Sequence, residues 1–209
     1  MINPERLLIS AGRIYGELMD ALWGQFLAVP EDRLTVLQDG DEVEIEGLIF
    51  SALDTPGHAY HHYCYLFEGT CFSGDVGGVR LQSPLPYLRL PTPPPEFDIA
   101  SWRKSLKKMQ AVGCERIAPT HFGIHHDPDW HLAALGREID RIEQWMEAAL
   151  PGAADREQLR RDFREWSLQI CREAGMDDGD IHTYELAMPL GMGSDGLWRY
   201  WHKVLHPSL

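Results

Sequence analysis

The stretch Asp54–Asp75, which reads DTPGHAYHHYCYLFEGTCFSGD, predicts the fold of the chain around it. It opens with a Pro-Gly break that stops the apolar run Leu48–Leu53, so His58 lies just past the end of a predicted strand. Aromatic side chains then alternate with other residues over Tyr63–Phe67, which is typical of a second strand. The stretch therefore places a histidine between two predicted strands.

The second half of the stretch predicts a hairpin that ends at an aspartate. Glu68-Gly69 is a two-residue reversal signal, and Thr70–Ser73 follows as the partner strand. Gly74-Asp75 then predicts a tight turn that ends this strand. A histidine at one strand end and an aspartate at the next can share one edge of a sheet.

A third predicted strand also ends at a histidine. Ile117–Pro119 is a short apolar run that leads into His121. Each fragment alone is also typical of an ordinary turn with solvated side chains, because short motifs match by chance. Three strand ends that carry His, Asp and His repeat one design, however, and these donors suit a metal ion. The sequence therefore favours a metal site formed by His58, Asp75 and His121.

Three segments, Thr55–His58, Ser73–Asp75 and Thr120–Gly123, resemble successive motifs of the metallo-β-lactamase superfamily, over roughly residues 34 to 125. The resemblance implies an α/β (α+β) fold, part of a four-layer αβ/βα sandwich with added C-terminal helices. It also implies a zinc, iron or manganese site of two ions between the two sheets.

The resemblance implies a role for each candidate residue. The residue matching His58 completes the shell of the first metal, the one matching Asp75 bridges both metals, and the one matching His121 completes the second. His62 matches a second histidine that is usually not a ligand. We expect Asp54 and His62 to support the ligands from behind.

The main signature of the family, His-x-His-x-Asp-His, lies upstream of these motifs, and this chain has no histidine before His58. Two ligands of each metal are therefore missing. We expect weak binding of one ion, or an empty site, and little hydrolysis by this chain alone.

The favoured interpretation is an N-terminally truncated metal-dependent hydrolase. A metal-activated water would attack an ester, thioester or lactone-type small-molecule substrate. The alternative is a non-catalytic metal-binding or oligomerising remnant of the same fold. An upstream His-x-His-x-Asp-His segment would favour the enzyme, and its true absence would favour the remnant.

Composition argues against several other classes of protein. The formal charge of -13 argues against nucleic acid and anionic membranes as partners. No apolar run approaches the ~20 residues of a membrane span, and no secretion signal is recognisable, so a cytoplasmic location is expected. The four cysteines have no C-x-x-C spacing and are expected to be reduced packing residues.

The 209 residues suit one domain with three parts: an N-terminal helix over residues 1–30, a β-rich core over 31–125, and a helical extension over 126–209. The broad apolar stripe of the first helix suits a missing neighbour, a dimer interface or a lid over a pocket. Half a sandwich would also expose one face of its sheet, so we expect a homo-oligomer or cover by the first helix.

Two further segments carry candidates for contact with substrate. The proline-rich loop after Asp75 is either a stiff connector or a rim on which Arg80, Tyr87 and Arg89 face substrate. The aromatic tail is either a terminal helix docked on the core or a flap whose Arg199 holds a substrate carboxylate or phosphate.

Overall fold

The computed structural model describes residues 2–83, 85–121 and 123–207. Pro84 of the proline-rich loop and Phe122 beside His121 therefore lie outside the described residues. The chain divides into two compact units, one that ends at Leu37 and one that begins at Gln38.

The first unit contains two helices, α1 (Glu5–Tyr15) and α2 (Met19–Trp23). The continuous helix predicted over residues 1–30 is therefore wrong in its length. A 3₁₀ turn over Gly16–Leu18 separates the two helices, because Gly16 takes a positive φ of 52° that an α-helix does not accommodate. Gly24 ends α2 in the same way, with a φ of 58°. A second 3₁₀ turn follows at residues 31–33.

The second unit is built on a sheet of five strands: β1 (Glu42–Ile45), β2 (Leu48–Asp54), β3 (Tyr63–Phe67), β4 (Thr70–Val79) and β5 (Arg116–His121). The strands lie in chain order across the sheet. Neighbours from β1 to β4 are antiparallel, and β5 is parallel to β4. Since β2, β4 and β5 run in the same direction, their C-terminal ends lie at one edge of the sheet.

Both tight hairpins use two residues with positive φ. Glu46 and Gly47 join β1 to β2 with φ values of 51° and 84°, and Glu68 and Gly69 join β3 to β4 with 44° and 72°. This is the type I′ geometry whose twist matches the flanking strands. The reversal predicted at Glu68-Gly69 is thereby confirmed.

The turn predicted at Gly74-Asp75 is wrong, because β4 continues through it to Val79. Gly74 has a φ of 54°, and the pairing of β4 with β5 shifts register on both sides of it. A left-handed glycine inside a strand produces a local irregularity of this kind instead of ending the strand. Asp75 therefore projects from an irregular part of β4.

Helix α3 (Ile99–Val112) covers one face of the sheet. The Asp98 side chain accepts a hydrogen bond from the Ser101 amide at 2.8 Å, and Gly113 ends the helix with a φ of 68°, as the sequence predicts. Trp102 is fully buried, and its Nε1 donates to the Val76 carbonyl at 3.0 Å. This bond ties α3 to β4 directly below the candidate site.

Four more helices complete the second unit: α4 (Pro128–Ala149), α5 (Arg156–Glu173), α6 (Asp178–Ala187) and α7 (Leu190–Tyr200), with a 3₁₀ turn at Leu150–Gly152 and a π-helical turn at Trp201–Leu205. Each of these four helices contributes to one hydrophobic core, which also contains Trp102 of α3; the contributing side chains include Leu135, Phe163, Tyr184 and Leu197. Tyr200 packs edge-on against Phe97 at 5.4 Å between ring centroids, so the tail is a docked helix. None of the described helices has the length and apolar character needed to cross a membrane.

The other face of the sheet is open within this unit. Tyr65 and Phe72 are paired across β3 and β4, and they remain 37% and 40% exposed. Ile45 and Leu48, at the end of the β1–β2 hairpin, are also exposed. The mixed α/β architecture predicted from the sequence is confirmed, with helices on one face of the sheet and an exposed apolar surface on the other.

Candidate metal centre

Strands β4 and β5 bring Asp75 and His121 together. The Nε2 atom of His121 lies 3.2 Å from Oδ1 of Asp75, and both side chains are partly exposed at the sheet edge. Burial raises the pKa of Asp75, but the hydrogen bond from His121 and the nearby imidazoles of His58 and His62 outweigh it and hold the pKa below its ordinary value. Asp75 is therefore ionised near neutral pH.

His58 lies in the turn that follows β2, and this turn is pressed against α3. The Gly57 carbonyl accepts a hydrogen bond from the Asp98 amide at 2.9 Å. Gly57 has a φ of 150°, and a Cβ there would lie 2.7 Å from Cα of Trp102. The ring of His58 sits edge-on to that of Trp102, with 6.2 Å between centroids. Only glycine at position 57 allows this approach.

The Nδ1 atom of His58 is buried, and no described residue gives it a hydrogen-bond partner. Burial lowers the pKa of His58, although the Asp75 carboxylate opposes this effect. His58 is therefore neutral at physiological pH, which is the form that binds metal ions. A buried ring nitrogen without a partner is costly, and a bound ion would remove that cost.

His62 is held behind His58 by a buried threonine. Its Nδ1 lies 3.0 Å from Oγ1 of Thr55, whose amide donates to the His62 carbonyl at 2.9 Å. Burial and the neighbouring His58 lower the pKa of His62 to about 4. Sequence reasoning gave Thr55 no such role, because nothing in a Thr-Pro-Gly turn signals a contact seven residues further on.

The irregularity in β4 makes room for the His62 ring. A Cβ on Gly74 would lie 2.5 Å from Nε2 of His62, so any other residue at position 74 would displace the ring. Gly74 therefore sets both the course of β4 and the position of His62. The sequence signalled Gly74 only as a turn residue.

Two other candidates from the sequence lie apart from this cluster. The amide of Asp54 donates to Asp39 at 2.9 Å, and its carbonyl accepts from Lys108 at 2.7 Å. Arg199 is half-buried on α7. Within the part of the chain that the structure describes, no hydrogen bond or ion pair joins Asp54 or Arg199 to His58, Asp75 or His121.

The arginine and tyrosine side chains of the proline-rich loop have structural partners. Arg89 is buried, and its Nη2 donates to Sγ of Cys171 at 3.0 Å. Tyr87 is also buried, so the hypothesis that Tyr87 and Arg89 face substrate is wrong. Arg80 forms a two-pronged ion pair with Asp127 at 2.7 and 2.8 Å. Tertiary packing thus gives these side chains partners that the sequence does not reveal.

The donor types of the cluster suit a metal ion, but its arrangement is incomplete. Two imidazoles and a carboxylate are ligands that zinc and iron accept. Across residues 2–83, 85–121 and 123–207, however, no three His, Cys, Asp or Glu side chains are grouped so as to hold an ion. His58, Asp75 and His121 therefore share an edge without forming a closed shell.

The sequence that carries His58, Asp75 and His121 is similar to a known protein family. The model of the metallo-beta-lactamase superfamily matches residues 5–121 of the chain. A metallo-beta-lactamase fold-containing protein of Sulfurisphaera tokodaii, ST1585, is 26% identical over 120 residues, which are 57% of this chain and 44% of that protein. Its crystal structure superposes with a TM-score of 0.52 and 22% identity, over 66% of this chain and 50% of that one.

Two enzymes are also similar to this chain. A hydroxyacylglutathione hydrolase of Xanthomonas campestris is 33% identical over 119 residues, 54% of this chain and 43% of that enzyme. An atrochrysone carboxyl ACP thioesterase of Aspergillus fumigatus is 26% identical over 136 residues, 62% of this chain and 29% of that enzyme. In sequence, the chain spans less than half the length of each of these relatives.

Proposed function

This chain belongs to the metallo-β-lactamase superfamily, and we propose that it acts as a metal-dependent hydrolase of small ester, thioester or lactone-type substrates. One observation carries the proposal. The shared sheet edge places Asp75 within 3.2 Å of His121, beside a histidine with a buried, unpartnered Nδ1 in the described structure. Such a concentration of neutral imidazole and ionised carboxylate suits a divalent cation.

We assign His58, Asp75 and His121 as the metal ligands. A bound zinc, iron or manganese ion would supply an acidified water and a Lewis acid for the developing oxyanion. The residues of the chain prepare this site: burial keeps His58 neutral, and Thr55 fixes the ring of His62 behind it. The Thr55 contact thereby fixes the position of His62 beside the proposed ligand His58.

The relatives narrow the proposed substrate class. One similar enzyme is a thioesterase and another hydrolyses hydroxyacylglutathione. We therefore favour a small acyl thioester over a lactone as the first substrate to test.

A second candidate function is metal binding or oligomerisation without catalysis. The absence of a group of three donors among the described residues favours it. For the chain as it stands we expect at most one weakly held ion and slow turnover, because a catalytic zinc site usually has three protein ligands.

The experiment compares hydrolysis of a glutathione acyl thioester before and after loading the protein with Zn²⁺, Fe²⁺ or Mn²⁺. We expect slow turnover that depends on the ion and is lost in Asp75→Asn and His121→Ala. His126→Ala is the matched control, because His126 is an exposed histidine in the same segment. Ion binding without turnover above that of the free ion would favour the non-catalytic alternative.

A further inference from the structure

Arg89 is a buried arginine whose guanidinium has only part of its hydrogen bonding satisfied. The residue is 5% exposed, and its Nη2 donates to Sγ of Cys171 at 3.0 Å. Its guanidinium carbon lies 5.9 Å from the ring centroid of Tyr87 and 5.4 Å from that of Tyr184. Nη1 is also buried, and no described residue gives it a hydrogen-bond partner. A buried N–H group without an acceptor is costly, so an acceptor is expected on the Nη1 side.

The charge of Arg89 also lacks a direct partner. A guanidinium stays protonated in proteins, so burial does not neutralise it. Its direct contacts are a thiol and two phenol rings, and burial raises the pKa of the Tyr87 phenol, which therefore stays neutral. No carboxylate among the described residues forms an ion pair with Arg89. A buried charge without a partner of opposite sign is strongly destabilising, so a counter-ion is expected beside it.

Glu138 of α4 is the only carboxylate among the described residues that line the cavity beside Arg89. It already forms an ion pair with Arg141, three residues further along the same helix. Burial raises the pKa of Glu138, and the positive charges of Arg141 and Arg89 oppose that effect. Two guanidiniums therefore share one carboxylate, which leaves one positive charge uncompensated.

The cavity beside Arg89 is small and mostly apolar. Its volume is about 20 Å³, and its wall includes Phe163, Trp166 and Ser167 of α5. A space of this size holds one occupant of about the size of a water molecule. Carboxylates and phosphates have several heavy atoms and are too large for it. A single-atom anion, such as a halide, is the counter-ion that fits.

We propose that the cavity between α4, α5 and Arg89 is a binding site for a single halide ion, which is chloride in ordinary salt solutions. Nη1 of Arg89 donates a hydrogen bond to the ion, and the guanidinium supplies the opposite charge. Ser167, also buried, contributes a polar side chain to the same wall. A water molecule would accept the same hydrogen bond, but it would leave the charge of Arg89 uncompensated.

The halide site is separate from the proposed hydrolase function, but it is joined to the same sheet. The amide of Arg89 donates to the Val79 carbonyl, and the amide of Val79 donates to the Arg89 carbonyl, each at 2.9 Å. Val79 is the last residue of β4 and pairs with His121. A halide that holds Arg89 in place would therefore also steady the strand end beside His121. Neither a metal ion nor turnover is needed to test the site.

The test follows thermal unfolding of the native protein by circular dichroism while sodium chloride or sodium bromide replaces sodium gluconate at constant ionic strength. Gluconate is too large for the cavity and serves as the reference anion. We expect the unfolding midpoint to rise with either halide and then to saturate, as for a ligand that binds only the folded chain. At ten times the dissociation constant, the rise is expected to be about 3–6 °C. A midpoint that does not respond, or that changes without saturation, would contradict a specific site.

Arg89→Met removes the group that binds the ion, and Arg161→Met is the matched control. Arg161 is exposed on α5, and its replacement changes the net charge equally. The saturating response is expected to be lost in Arg89→Met and kept in Arg161→Met. Crystals of the wild-type protein grown in sodium bromide give a reading that depends on no variant, and an anomalous peak is expected beside Nη1 of Arg89. Water density there without an anomalous peak, or a halide response that Arg89→Met retains, would overturn the proposal.

Discussion

Gly196 lies on α7 where the helix crosses the segment that contains Thr92 and Pro93. A Cβ at position 196 would lie 1.9 Å from the Thr92 carbonyl oxygen and 2.8 Å from the Pro93 carbonyl carbon, far inside van der Waals contact. Thr92 is fully buried, and its hydroxyl donates to the Gly193 carbonyl at 3.0 Å. Backbone atoms therefore meet here, and no side chain can turn away to make room.

Replacing Gly196 with alanine is expected to destabilise the protein. Overpacking a buried site costs roughly 1–3 kcal/mol and occasionally more. We expect the upper part of this range, because the clashing atom belongs to the backbone. The better helix propensity of alanine returns at most ~1 kcal/mol of this cost. The net loss in free energy of unfolding is expected to be about 2 kcal/mol.

Gly191→Ala is the matched control on the same helix. Apart from its chain neighbours and the backbone of its own helix, no described residue has an atom within 4 Å of a Cβ at position 191. Gly191→Ala is therefore expected to be neutral or to stabilise by up to ~1 kcal/mol. Urea unfolding followed by tryptophan fluorescence and circular dichroism gives both free energies. If the two variants have equal free energies of unfolding, Gly196 does not pack against the Thr92 backbone as described.

Two further predictions concern the acid stability of the core and the open face of the sheet. His131 is fully buried with Nε2 2.7 Å from the Gly77 carbonyl, and burial lowers its pKa to about 4. Between pH 6.5 and 4 the unfolded chain binds a proton there that the native protein does not, so stability falls by roughly 3 kcal/mol with acid. In His131→Phe the slope of unfolding free energy against pH is expected to fall by about one proton near pH 5, and an unchanged slope would contradict this. Phe72→Glu, on the exposed sheet face, is expected to shift an oligomer toward monomer in sedimentation velocity, whereas Val112→Glu, on α3 and similarly exposed at 37% against 40%, is not. If the wild-type protein sediments as a monomer, the predicted oligomer is contradicted.

Local chemistry made several elements predictable from the sequence. The reversal at Glu68-Gly69 needs positive φ at two positions, and the helix after Asp98 begins with a side-chain cap. Alternation of side chains located β3, and an apolar run ending at His121 located β5. These signals act over a few residues, so one sequence is enough to read them.

Long-range packing hid the remaining features. A glycine such as Gly74 is typical both of a turn and of a distortion inside a strand. Only the pairing with β5 and the contact with the His62 ring show that it is a distortion here. Arg89 reads as a surface residue, yet helix α5 encloses it beside Cys171. Whether three strand ends share one edge depends on strand order, which the residues suggest but do not determine.

The metal content of the chain, purified without added metal, tests the central claim most directly. That claim is that His58, Asp75 and His121 together form an incomplete ligand set for one ion. We expect at most one equivalent of zinc, iron or manganese per chain, removed by dialysis against a chelator, absent in Asp75→Asn and unchanged in His126→Ala. Two tightly held equivalents per chain, or metal that Asp75→Asn retains, would contradict the account.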